Sequence, residues 1–251
     1  MILCVWLFVR SVFLFYAGLA DCVGIVAKSF LTMVCESGYN VVIVFCEVFM
    51  LGFSAELLWC VLAYLVGSIS FAIVLSRVFG MPDPRSYGSS NPGATNMLRS
   101  GRKEVALLTL LGDALKGFLP VYLAARWGEL SPVALGWVAL AAFLGHLYPV
   151  FFRFQGGKGV ATFLGAVLGL SAQIGLWVIV VWVAMAAVFR YSSLSSLTAS
   201  VAALILFAAF WGIGWVLLPI MLMVVLMVYR HHSNIQNLLA GKERRLFAPK
   251  K

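Results

Sequence analysis

Three short stretches of this chain gather hydrogen-bond donors, small residues and cations closely enough to hold a phosphorylated molecule. The first is Gly88-Ser89-Ser90-Asn91-Pro92-Gly93-Ala94-Thr95-Asn96, with Arg99 shortly after it. Small, turn-forming residues let successive backbone N–H groups converge on an anion. Ser89, Ser90, Asn91, Thr95 and Asn96 add side-chain donors, and the planar guanidinium of Arg99 can grip phosphate through paired hydrogen bonds. An ordinary turn uses the same residue types, which is the bland alternative. The second stretch is Gly145-His146-Leu147-Tyr148-Pro149, then Phe154-Gln155-Gly156-Gly157-Lys158-Gly159-Val160-Ala161-Thr162. A glycine-rich turn that opens a helix presents free N–H groups and the positive end of the helix dipole to an anion, and Lys158 adds charge. The GxxxxGK[ST] spacing is missing, which disfavours ATP. The competing reading is a flexible loop whose lysine meets lipid headgroups, with His146 structural. The third stretch is His231-His232-Ser233-Asn234-Ile235, followed by Gly241-Lys242-Glu243. His231 and Asn234, three apart, share a face of a helical turn, whereas His232 reads as an interfacial basic residue.

The elements that position these loops belong to a membrane. Of 251 residues, 63% are hydrophobic and 11% charged, against about 25% charged in soluble domains. Apolar runs near or above the ~18 residues of a spanning helix recur along the chain, without the alternation of a β-barrel. Spans are expected near residues 57–76, 105–125 and 133–152. The runs 160–189 and 197–229 are long enough to hold two spans each, with breaks expected near Gly169 and Gly175, and near Gly212 and Gly214. The expected fold is therefore all-α and polytopic, with seven transmembrane helices after residue 56. Alternate loops then collect Arg77, Arg85, Arg99, Arg102, Lys103, Arg153, Lys158, Arg190, Arg230 and the basic tail, while the opposite loops hold only Arg126. The positive-inside rule places the charged side in the cytoplasm, and it explains the net charge of +9 without nucleic acid. Asp113 and Lys116 lie inside the second span at a spacing that permits a structural ion pair.

Residues 1–55 form an apolar extension without motifs, distinct from the membrane domain at 56–251. Residues 1–49 are expected to be either an upstream mis-start, with Met50 as the start, or one or two extra helices. Cys4, Cys22, Cys35, Cys46 and Cys60 show no CxxC spacing and no nearby histidine, so they read as free thiols rather than a disulfide framework or a zinc site.

Read together, the strings GSSNPGATN with Arg99, GH…P…F…GGKGVAT and HHSNI…GKE resemble the three motifs of the bacterial acyl-phosphate:glycerol-3-phosphate acyltransferases, over about residues 57–247. The HxxxxD motif of the other glycerophosphate acyltransferases is absent. The resemblance implies a seven-helix inner-membrane enzyme with cytoplasmic active-site loops. Its reaction would move a fatty acyl group from acyl phosphate to the 1-hydroxyl of glycerol 3-phosphate, giving lysophosphatidate and inorganic phosphate. The resemblance also implies that Ser89, Asn91, Gly93 and Arg99 line phosphate sites, and that Gly156, Gly157 and Lys158 bind phosphate. Ser193, in Tyr191-Ser192-Ser193-Leu194, matches a substrate-binding serine, and His231 and Asn234 match the third motif. Asn237 departs from the family, which often has arginine there.

Ser89, His231 and Asn234 are thus the candidate catalytic residues. Ser90, Asn91, Gly93, Thr95, Asn96, Arg99, Gly156, Gly157, Lys158 and Ser193 form the candidate binding set. No metal or cofactor is expected. Acyl phosphate is already activated, so the task is to hold two phosphates, align a hydroxyl and stabilise an oxyanion. Direct attack is expected, with a substrate phosphate taking the proton and His231 as the rival base. Membrane lipid and an enzyme that makes acyl phosphate are the expected partners. The alternative of another class is a transporter or channel for a phosphorylated anion, which Asp113, Lys116 and basic glycine loops would also suit.

Overall fold

A chain segment solvated by hydrocarbon must close its backbone hydrogen bonds internally, and a helix does so within one segment. The computed structural model describes residues 55–246, and all regular structure among them is helical. The expectations for the N-terminal extension and for Met50 lie outside the described residues. Helix α1 (Ala55–Gly67) meets α2 (Phe71–Val78) at a 41° bend. Then come α3 (Ala94–Arg99), α4 (Lys103–Trp127), α5 (Pro132–Leu147), a 3-10 turn (Val150–Phe152), α6 (Val160–Leu170), α7 (Ala172–Phe189), α8 (Ser192–Trp211), α9 (Leu217–Arg230) and α10 (His232–Leu239).

The helices α4, α7 and α8, and α5 with its 3-10 extension, are each long and apolar enough to cross a bilayer, and the bent α1–α2 pair makes a fifth crossing if it acts as one span. Both long apolar runs are broken. The first breaks at Ser171, between Gly169 and Gly175: the Ser171 hydroxyl accepts from the Ile174 N–H at 3.3 Å and caps α7. The second breaks at Gly212, whose φ of 80° favours a residue without a Cβ. The pieces α6 and α9 have 11 and 14 residues. At 1.5 Å per residue they span only about 17 and 21 Å, short of the ~30 Å hydrocarbon core.

Packing depends on close backbone approach. A Cβ on Gly117 of α4 would lie 2.1 Å from the Thr162 carbonyl of α6, and one on Gly165 of α6 would lie 1.9 Å from the Ala114 carbonyl of α4. Small residues at crossings are how helices associate where no water drives them together. The core gathers Phe143, Leu147, Phe163, Phe207, Met223 and Met227. The α5 span is 61% buried and α7 only 17%, so α5 is central and α7 peripheral.

The intramembrane charges form an ion pair. Lys116 Nζ lies 2.8 Å from Asp113 Oδ1 and donates to the Ile69 carbonyl at 2.7 Å. That carbonyl sits in the break between α1 and α2, where helix geometry leaves it without a backbone partner. His146 Nδ1 lies 3.7 Å from Asp113 Oδ1 and 3.1 Å from Thr162 Oγ1. The charged cluster thus links α4, α5 and α6 to the bend.

Candidate active site

The second motif is shaped by what lies beneath it. The His146 carbonyl at the end of α5 accepts from the Gly157 N–H at 3.2 Å. A Cβ on Gly156 would stand 2.1 Å from that same carbonyl, and one on Gly157 would stand 2.3 Å from His146 Nε2. Only glycine lets the loop lie this close to α5. The loop then enters α6 through Gly159, at φ 82°, which leaves Lys158 immediately before the N-terminal end of that helix.

The first motif folds over Asn96. Asn96 is 1% exposed, and its Oδ1 accepts from the Ser89 N–H at 3.0 Å. Its Nδ2 donates to the carbonyls of Pro84 at 2.8 Å and Tyr87 at 3.2 Å. The Asn96 amide is therefore committed to the loop, and its effect on any anion runs through loop shape. Ser89 and Ser90 are exposed above it, with Ser90 at φ 53°. Gly93 caps α3 in an extended conformation, and Arg99 closes that helix. Thr95 Oγ1 is 3.2 Å from Ser192 Oγ, which ties the first motif to the start of α8.

The third motif bonds the second. Lys158 Nζ donates to Asn234 Oδ1. Asn234 Nδ2 donates to Glu243 Oε1 at 2.8 Å, and Ser193 Oγ donates to the same oxygen at 2.7 Å. Lys158, Asn234, Glu243 and Ser193 are thus one network spanning four segments. A pocket of about 260 Å³ lies beside it, lined by Ser89, Ser90, Asn91, Gly156, Lys158, Tyr229, Arg230, His232 and Ser233. Lys158 belongs to both the pocket and the network.

Electrostatics follow from this crowding. Burial chiefly lowers the pKa of Lys158, and Arg99 and Arg230 lower it further while Glu243 opposes. Burial also pulls Arg99 below the usual guanidinium range, helped by Arg244 and opposed by Glu243. Lys158 is therefore within electrostatic reach of Arg99, Arg230 and Glu243, and Arg99 within reach of Glu243. His231 is 2% exposed, and burial pushes its pKa down to about 4. Its Nδ1 is 2.8 Å from the Met227 carbonyl, which can only accept, so Nδ1 carries the proton and Nε2 the lone pair.

The structure separates the paired histidines: His231 is buried, while His232, read as interfacial from sequence, lines the pocket. His146, read as structural, underlies the glycine loop. Tyr229, His232 and Ser233, outside the candidate set, line the pocket, and two further residues outside it make polar contacts in the site. Glu243 is the hub of the polar network; its only sequence signal was its place in the Gly-Lys-Glu string. Arg230 is the other. It counts in the sequence as a loop charge, yet its Nε donates to the Gly157 carbonyl at 3.1 Å, and its Nη2 donates to those of Gly156 at 2.8 Å and Gly157 at 2.9 Å.

Comparison with known proteins agrees with this architecture. Residues 57–241 match the family described as glycerol-3-phosphate acyltransferase. A glycerol-3-phosphate acyltransferase of Janthinobacterium sp. (strain Marseille) is 56% identical over 194 residues, covering 75% of this chain and 96% of the relative. One from Burkholderia multivorans is 53% identical over 200 residues, covering 78% and 92%. The crystal structure of PlsY (YgiH), an integral membrane glycerol 3-phosphate acyltransferase, in its glycerol 3-phosphate form superposes with a TM-score of 0.72 at 41% identity. That match covers 76% of this chain and 95% of the other. The lysophosphatidic acid form superposes at 0.70 and 40% identity, covering 76% and 94%.

Proposed function

We propose, from the premise that this chain belongs to the glycerol-3-phosphate acyltransferase family, that it transfers a fatty acyl group from acyl phosphate to the 1-hydroxyl of glycerol 3-phosphate. The products are lysophosphatidate and inorganic phosphate. The observation that carries this reading is the meeting of Arg99, Lys158 and Arg230 with the donors of three loops. Such a site suits two phosphates better than one. The substrate hydroxyl oxygen attacks the acyl carbon, the bond to the bridging phosphate oxygen breaks, and phosphate departs with the electron pair. The hydroxyl proton passes to phosphate. Among the described residues no serine hydroxyl hydrogen-bonds a histidine, which favours direct attack over an acyl-enzyme. The seven-crossing arrangement requires α6 and α9 to cross as well as the longer helices. We place the basic loops and C-terminus in the cytoplasm, in the bacterial inner membrane, because the positive charge lies on that side. There an enzyme that makes acyl phosphate would deliver the donor.

The test is phosphate release by the purified protein. Release from acyl phosphate should require glycerol 3-phosphate, and acyl-CoA in its place should give none. A folded sample that releases no phosphate but moves glycerol 3-phosphate across vesicles would favour transport instead.

The state of His231 adds a pH prediction. Its folded pKa, about 4, lies below the ordinary histidine value. The neutral ring is therefore the folded form above that pH, and its contribution to stability is lost as pH falls from about 6.5 toward the folded value. A group this acidic is a weak base at neutral pH. His231, which interacts with Lys158, Glu243 and Arg230, is expected to position rather than to titrate. His231→Gln should lower kcat at least about tenfold while the profile between about pH 5.5 and 8 keeps its shape. A wild-type break near pH 6.5 that vanishes in the variant would make His231 the base. Near-normal turnover would remove it from the chemistry.

A further inference from the structure

We infer that Arg230 is a positioning residue, whose guanidinium orients the Gly156-Gly157-Lys158 backbone for phosphate by gripping its carbonyl groups; this rests on the functional reading above. The loop has two supports. From one side α5 holds it, through the Gly157 N–H to the His146 carbonyl and through the close fit of both glycines. From the other side Arg230 makes three hydrogen bonds, to the Gly156 and Gly157 carbonyls. In a trans peptide the C=O and N–H point in opposite directions. Turning the Gly157 carbonyl toward Arg230 therefore turns the Lys158 N–H away from it. Without that cation the carbonyls would be free to rotate toward the pocket, where they would repel a phosphate.

Arg230 is itself held in place. It ends α9, adjacent to His231 of the third motif, and its guanidinium carbon lies 5.8 Å from the centre of the Tyr148 ring. The Tyr148 carbonyl in turn accepts from Tyr64 Oη at 2.8 Å. Arg230, Gly156 and Lys158 all line the pocket. The arrangement uses the fork of the guanidinium: Nε and Nη2 reach adjacent carbonyls and leave Nη1 over. A lysine would bring the charge but not the fork. This separates positioning from simple electrostatic attraction.

The experiment compares wild type with Arg230→Lys, Arg230→Gln and Tyr148→Leu. KM is measured for glycerol 3-phosphate and for acyl phosphate separately, with kcat and with the rise in thermal midpoint on adding glycerol 3-phosphate. Arg230→Gln and Arg230→Lys should both raise KM for a phosphorylated substrate by about 10–100-fold, the loss expected for charge-assisted hydrogen bonds. In both, kcat should stay within about threefold. Tyr148→Leu should shift the same KM less. Arg230→Lys with wild-type constants would overturn the inference, because charge alone would then suffice. Unchanged KM values in Arg230→Gln would do the same. If Arg230→Gln does not fold, the Lys and Leu variants decide by the same criteria. The thermal response needs no turnover: a wild type that responds but does not transfer acyl groups would defeat the proposed reaction alone. An equal response in wild type and variants, including none, would count against Arg230.

Discussion

Replacing Lys158 by methionine is expected to lower kcat by about 10²–10³-fold, the range for removing one preorganised group from a developing oxyanion. Lys158 is where the loops meet. It lines the pocket with Ser89, Ser90 and Asn91 of the first motif, and it bonds Asn234 of the third. Through Asn234 it connects to Glu243 and Ser193. Methionine keeps most of the length and loses the charge. Glu243 would then interact with Arg99 without the Lys158 ammonium, and the incoming phosphates would meet one cation fewer in a site where burial strengthens each. Steady-state kinetics on a variant with an unchanged thermal midpoint would check this. A kcat within about threefold of wild type would remove Lys158 from charge stabilisation.

The second large effect concerns stability. Lys116→Met should destabilise the protein by about 3–5 kcal/mol, because it strands a buried carboxylate. Among the described residues, Asp113 would keep the more distant His146, at 3.7 Å, and the Ile69 carbonyl in the α1–α2 break would lose the Lys116 donor. Removing both charges is a different matter, since a buried pair contributes little net stability against its desolvation cost. Asp113→Asn combined with Lys116→Met should therefore recover much of the loss. Thermal unfolding in one detergent compares the three proteins. A double variant no more stable than Lys116→Met would show that Lys116 acts on the bend and not on Asp113.

The Asp113–Lys116 pair was legible because its residues sit three apart on one helix, so backbone geometry alone brings them together. The broken runs were legible from their length against the bilayer. The first break falls between the two glycines named for it, but the residue that makes it was not legible: the Ser171 hydroxyl caps the next helix. His231 and His232 look alike as neighbours, and only the end of α9 decides that one is buried and the other faces the pocket.

The loop signature returns the same division. Hydropathy, loop charge and short motifs are local properties, so the membrane class, the helical fold and the anion-holding loops could be read along the chain. Glu243 and Arg230 could not. Glu243 joins Ser193 across 50 positions, and Arg230 grips a carbonyl 73 positions away. A carboxylate hub and a carbonyl clamp exist only where distant segments converge, because hydrogen bonds depend on distance and direction in space rather than on spacing in sequence.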